Sequence, residues 1–178
     1  MHSKSNPQKY FYSSLVICFI LAFAIGCSDK KTEISFIPIQ HDQWIDRLSA
    51  YTPNIVVVDM WATWCAACIE QFPKMVELHK KYRDQNVTFV SMNLDDHTDS
   101  AALDDAKTFL QKMNAQFDNY WMDENIMLAF EKLNLIGIPA VIIYDKTGAE
   151  RYRLTGDDPN NQFTETDIID ALETLLSH

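Results

Sequence analysis

A run of apolar, largely β-branched residues, Ile55-Val56-Val57-Val58-Asp59-Met60, leads through Trp61-Ala62-Thr63-Trp64 into Cys65-Ala66-Ala67-Cys68. Continuous apolar character predicts a central strand buried on both faces, which in turn requires a sheet covered by helices. From Ala66 to Tyr82 the positions Ile69, Phe72, Met75, Val76, His79 and Tyr82 recur at three and four, predicting a long helix that starts between the two cysteines. Both sulfurs then sit at a helix N-terminus, where unpaired N–H groups stabilise negative charge. That is the setting a reactive dithiol needs.

The flanking segments predict the rest of an α/β domain. Ile34 to Ile39 reads as an edge strand, with Pro38 tolerated because an edge has spare donors. Trp44, Ile45, Leu48 and Tyr51 mark a short amphipathic helix ending before Pro53. Val87 to Leu94 is a strand and Ser100 to Met113 a helix, whereas Phe117 to Met122 fits either a short strand or an extended segment. A further helix is expected over Glu124 to Leu133. Ala140 to Tyr144 and Glu150 to Leu154 flank Asp145-Lys146-Thr147-Gly148 as a hairpin, and Thr164 to Asp167 opens the last helix with a capping-box pattern. This order predicts a mixed sheet with helices on both faces.

With 178 residues, 47% of them hydrophobic, one globular domain is the expectation. A net charge of -10 without any basic cluster argues against nucleic acid as a partner. The N-terminus carries Lys4 and Lys9, no acid before Asp29, and an apolar stretch from Leu15 to Ile25 that is short for a membrane span. It closes on Ala24-Ile25-Gly26-Cys27, which resembles a bacterial lipobox. The expected organisation is a signal peptide over 1–26, a lipidated tether and edge strand over 27–40, and the globular domain over 41–178. The resemblance implies lipidation at Cys27 and a membrane-anchored position in the cell envelope facing the periplasm. Ordinary secretory cleavage and an uncleaved anchor are the alternatives.

The chemistry is concentrated in Cys65 and Cys68. Zinc would need further Cys or His ligands at short spacing, and His41, His79 and His97 have none nearby. Covalent haem attachment would need His after the second cysteine, where Ile69 stands. A structural disulfide closing so small a loop would constrain little chain entropy. A redox dithiol remains, with Cys65 as the attacking thiolate and Cys68 as the resolving thiol. Asp59, an acid among valines, is expected to be buried, with a raised pKa suited to proton exchange with Cys68. Pro139, after Ile138, cannot donate a ladder bond and marks a special turn. Trp64 places a bulky aromatic beside the thiols, while Trp61 fits the core equally well.

These stretches, Val57-Val58-Asp59-Met60-Trp61-Ala62-Thr63-Trp64-Cys65-Ala66-Ala67-Cys68, a helix with Pro73, and Gly137-Ile138-Pro139-Ala140-Val141-Ile142-Ile143-Tyr144, resemble the thioredoxin superfamily. An extra helix before Pro139, together with the lipobox, is similar to the tethered TlpA/ResA-type thiol-disulfide oxidoreductases. The resemblance covers about residues 41–177. It implies a thioredoxin fold with a helical insertion before the strand that follows a cis Pro139, which packs on the disulfide. It also implies substrate binding through Ile138, Pro139 and Trp64, a nucleophilic Cys65, and no cofactor beyond the redox-active disulfide. Implied partners are disulfide-containing extracytoplasmic proteins and an upstream thiol donor, with the chain a monomer that holds no metal. Three departures stand out: Ala66-Ala67 replace Gly-Pro or Glu-Pro, Gln71 replaces a frequent Glu, and Ser91 stands where thioredoxins have Lys near the buried acid.

The competing readings are a redox-silent binding module, disfavoured by the retained Cys pair, Asp59 and Pro139, and a thiol peroxidase, which would place its Cys in another loop context. The acidic pairs Asp95-Asp96 and Asp157-Asp158 lack calcium-loop spacing and read as solvated loops. Methionines 92, 113, 122 and 127 read as core fillers.

Overall fold

The computed structural model describes residues 33–156 and 162–177. The targeting segment, Cys27 and the pair Asp157-Asp158 lie outside them.

The strand predicted from the valine run is β2 (Ile55–Trp61), and every residue in it is buried. It sits inside a six-stranded sheet of order β1-β4-β3-β2-β5-β6, completed by β1 (Ile37–Ile39), β3 (Val87–Asn93), β4 (Asp118–Met122), β5 (Ala140–Tyr144) and β6 (Glu150–Thr155). Strands β1, β4, β3 and β2 run parallel, while β5 is antiparallel to β2 and β6 to β5. The sheet is therefore mixed, and β1 with its Pro38 lies at an edge, as the sequence predicts.

Side-chain alternation along β2 divides the core. Val56, Val58 and Met60 pack on one face with Trp44 and Leu48 of α1 (His41–Ala50) and Ala129 of α4 (Ile126–Lys132). Ile55 and Val57 pack on the other with Met75 and Leu78 of α2 (Ala66–Tyr82) and Ile168 and Leu172 of α5 (Glu165–Leu176). Further along that second face, Trp61, Cys65, Cys68 and Phe72 join Ala106 and Leu110 of α3 (Ser100–Met113). Phe72 meets both Trp61 and Phe109 edge-on, at ring-centroid distances of 5.1 Å.

The segment left open between strand and extended chain is β4, an inner strand between β1 and β3. It buries Asn119, whose side chain is fully used: its Nδ2 donates to the Ala115 and Phe117 carbonyls and its Oδ1 accepts from Ser91 Oγ at 2.8 Å. Helix α2 continues through Pro73, and the capping box predicted for the last helix is present between Thr164 and Asp167. Among the described residues no helix is long and apolar enough to cross a membrane.

Candidate active site

The chain leaves β2 through a tight turn closed by the Cys65 N–H donating to the Ala62 carbonyl at 3.1 Å. Cys65 is the N-cap of α2, and its Sγ accepts from the Cys68 N–H at 3.2 Å. The two sulfurs form a disulfide with Cα atoms 5.2 Å apart. Both cysteines are buried, Cys65 at 6% and Cys68 at 2% exposure. No acid lies in the first turn of α2. The helix-terminal N–H groups are thus unopposed by a local carboxylate, which favours a thiolate at Cys65.

Asp59 stands in β2, two residues before Trp61. In β2 it alternates with Ile55, Val57 and Trp61, so its side chain points to the α2 face, and Trp61 one step further shares a cluster with both cysteines. It is 4% exposed, and no hydrogen bond reaches its carboxyl among the described residues. Burial alone pushes its pKa up to about 7. Ser91, its neighbour in β3, turns its hydroxyl to Asn119 instead. A carboxyl so placed holds a proton or releases it near neutrality, as general acid-base chemistry requires.

The third element is the entry to β5. The Ile138–Pro139 peptide is cis. Ile138 packs on the cluster containing Cys65 and Cys68, and its N–H and C=O pair with no other backbone group among the described residues. Ala140 opposes Met60, which puts Pro139 level with Trp61 at the dithiol end of β2. Trp61 is fully buried, whereas Trp64, beside Cys65, is 58% exposed. Gln71, three residues beyond Cys68, has a buried Nε2 without a hydrogen-bond partner among the described residues.

Three residues that sequence reasoning did not assign to the site also shape it. Gly156 donates its N–H to the Pro139 carbonyl at 2.8 Å, and a Cβ there would lie 2.9 Å from Pro139 Cγ, so only glycine allows the approach. Arg153 donates to the Leu133 and Asn134 carbonyls at the end of α4, holding the segment that leads to Pro139. Asp95 departs from the expectation of a solvated loop: Asp96 is exposed, but Asp95 is buried and bonded to Thr63. The signal available in the sequence was its place directly after a strand, opposite the loop that carries the cysteines.

A mixed sheet with helices on both faces and a Cys-x-x-Cys at the start of the second helix defines a thioredoxin fold. The AhpC/TSA family model matches residues 36–153, and the chain belongs to that family within the thioredoxin superfamily. It is similar to the thiol-disulfide oxidoreductase ResA of Bacillus cereus, at 26% identity over 164 residues, 85% of this chain and 91% of that protein. It is also similar to the thiol:disulfide interchange protein DsbE of Vibrio cholerae, at 29% identity over 118 residues, 66% of this chain and 59% of the other. A crystal structure of a DsbE-type protein from Chlorobium tepidum matches with a TM-score of 0.59 and 26% identity, covering 72% of this chain and 84% of that one. A thiol-disulfide isomerase from Corynebacterium glutamicum shares the fold, with a TM-score of 0.60 at 18% identity, over 75% and 86% of the two chains.

Proposed function

We propose that this protein is a thiol-disulfide oxidoreductase of the ResA/DsbE type that reduces disulfides in extracytoplasmic proteins. The observation that carries the reading is Cys65 as the sulfur cap of α2, disulfide-bonded to Cys68, with Asp59 buried beneath. In the reduced protein the Cys65 thiolate attacks one sulfur of a client disulfide. The client S–S bond breaks, a Cys65–client mixed disulfide forms, and the other client sulfur leaves as a thiolate. Asp59 takes the proton of the Cys68 thiol, and Cys68 Sγ then attacks Cys65 Sγ. The mixed disulfide breaks, the Cys65–Cys68 bond forms, and the client departs with two electrons and, after protonation, two thiols. An upstream thiol donor restores the dithiol, so the chain needs no cofactor beyond the cysteine pair.

The backbone groups of Ile138, which pair with no other backbone group among the described residues, the cis Pro139 turn and the exposed Trp64 are the surfaces that would hold a client chain beside Cys65. The positive, apolar N-terminal segment ending in Gly26-Cys27 supports export and a lipid tether to the envelope, which keeps a monomeric domain facing extracytoplasmic clients. The direction of electron flow rests on the resemblance to tethered reductants. Equilibration with glutathione buffers tests it: a reductant is expected to lie below roughly -200 mV, whereas a value near about -120 mV, as for a strong oxidant, would overturn the reductase reading.

A further inference from the structure

Asp95, in the loop after β3, is 3% exposed. A carboxylate at such depth needs donors, and two of the three donor groups that reach it among the described residues belong to one residue of the dithiol turn, Thr63. The Thr63 N–H lies 3.1 Å from each carboxylate oxygen, and Thr63 Oγ1 donates to Oδ1 at 2.8 Å. Asn93 Nδ2 donates to Oδ2 at 2.7 Å, while the Asp95 N–H returns a bond to Asn93 Oδ1 at 3.2 Å. The Leu94 N–H adds a backbone tie to the Trp61 carbonyl at 2.8 Å. Thr63 is the second residue of the four-residue turn Ala62 to Cys65, whose closing bond delivers Cys65 to the head of α2.

We propose that Asp95 is a positioning residue for Cys65. By gripping the amide and hydroxyl of Thr63 it fixes the turn that aims Cys65 Sγ at the Cys68 N–H and at an incoming disulfide. This rests on the reading of Cys65 as the attacking thiol. Geometry and charge make opposite predictions here, which makes the idea testable. If Asp95 acted only as a nearby anion, its removal would favour the Cys65 thiolate. If it acts as a clamp, its removal loosens the turn, weakens the Sγ–amide contact and disfavours the thiolate.

The test uses the reduced, folded protein with the pH dependence of thiolate absorbance and the rate of Cys65 alkylation by iodoacetamide. Asp95→Ala is expected to move the Cys65 midpoint to higher pH and slow alkylation at neutral pH by about tenfold, the scale of a lost bond to a charged group. Asp95→Asn, which keeps one acceptor, and Thr63→Val, which loses only the hydroxyl, are expected to show smaller shifts in the same direction. Thr63→Ser should restore wild-type behaviour. The ionisable groups on the elements that carry the dithiol and Asp95, Asp59 on β2, Glu70 and Lys74 on α2 and Asp96 and His97 after Asp95, remain in every variant. Should Asp95→Ala fail to fold, Asp95→Asn and Thr63→Val carry the same test. An unchanged or lowered midpoint in the folded variants would overturn the inference. Wild-type protein in which Cys65 is no more reactive than Cys68 would instead overturn the reading on which it rests.

Discussion

Helices α2 and α3 lie on the same face of the sheet and both begin in loops that follow a parallel strand, yet their N-termini are finished by opposite chemistry. Asp99 caps α3 with a carboxylate that accepts from the Ala101 and Ala102 N–H groups at 3.0 and 3.1 Å. Helix α5 likewise carries Glu165 and Asp167 in its first turn. At α2 the cap is the Cys65 sulfur, the next two residues are alanines, and no acid enters the first turn. Where a helix start serves only folding, oxygens neutralise the exposed donors. Where it serves the dithiol, those donors and the positive end of the helix dipole are left for a sulfur.

Four substitutions break or sharpen this contrast. The largest effect is expected at the α2 cap itself: Cys65→Ser, with an oxygen cap but no thiolate, should lower insulin-disulfide reduction to the uncatalysed background, a loss on the order of a thousandfold or more. The structural cap would survive, so thermal unfolding should move little. Residual turnover above background would break the assignment.

Next is Asp59, the acid placed under α2 rather than at its head. Its unfolded carboxyl ionises near 3.8 and its folded one near 7. Between those values the native state holds a proton that the unfolded state has lost, so stability falls as pH rises through the window, by about 4 kcal/mol in total. Asp59→Asn should abolish that slope and leave the protein more stable than wild type above neutrality. Urea midpoints at mildly acid and mildly alkaline pH check this, and parallel slopes in the two proteins would contradict it. The same variant should resolve mixed disulfides more slowly near neutral pH.

A smaller effect is expected from giving α2 the charge that α5 has. Ala67→Asp should oppose the thiolate and slow Cys65 alkylation by roughly two- to fivefold, matching a helix-dipole charge effect. The smallest is the reverse experiment: Asp99→Ala should cost about 1 kcal/mol of stability while leaving alkylation of Cys65 unchanged.

The same two helices show what the sequence discloses. The strand expected over 55–60, which the structure carries on to Trp61, and the helix at 66–82 were legible because both signals are local: an unbroken β-branched run and apolar residues at three and four. The acidic character of Asp59 against its valine neighbours was also enough to place it in the interior. Segment 118–122 was ambiguous because Asp118 and Asn119 are poor strand residues. They are accepted in an inner strand because Tyr51 Oη donates to Asp118 and Ser91 Oγ donates to Asn119 Oδ1, from positions 67 and 28 residues away, while the neighbouring Ala115 and Phe117 carbonyls accept from Asn119 Nδ2. Asp95 was misread for the same reason, since its burial depends on Thr63, 32 residues earlier. Gly156 was silent because its requirement is the close approach of Pro139, set only when β5 and β6 pair.

The most direct test of the central claim, that Cys65 attacks and Cys68 resolves, is mass spectrometry of adducts formed when reduced Cys68→Ser and Cys65→Ser proteins meet a disulfide-containing polypeptide. The Cys68→Ser protein is expected to accumulate a mixed disulfide at Cys65, reversible by excess thiol, while Cys65→Ser accumulates none. Equal trapping by the two variants, or trapping through Cys68 alone, would contradict the account.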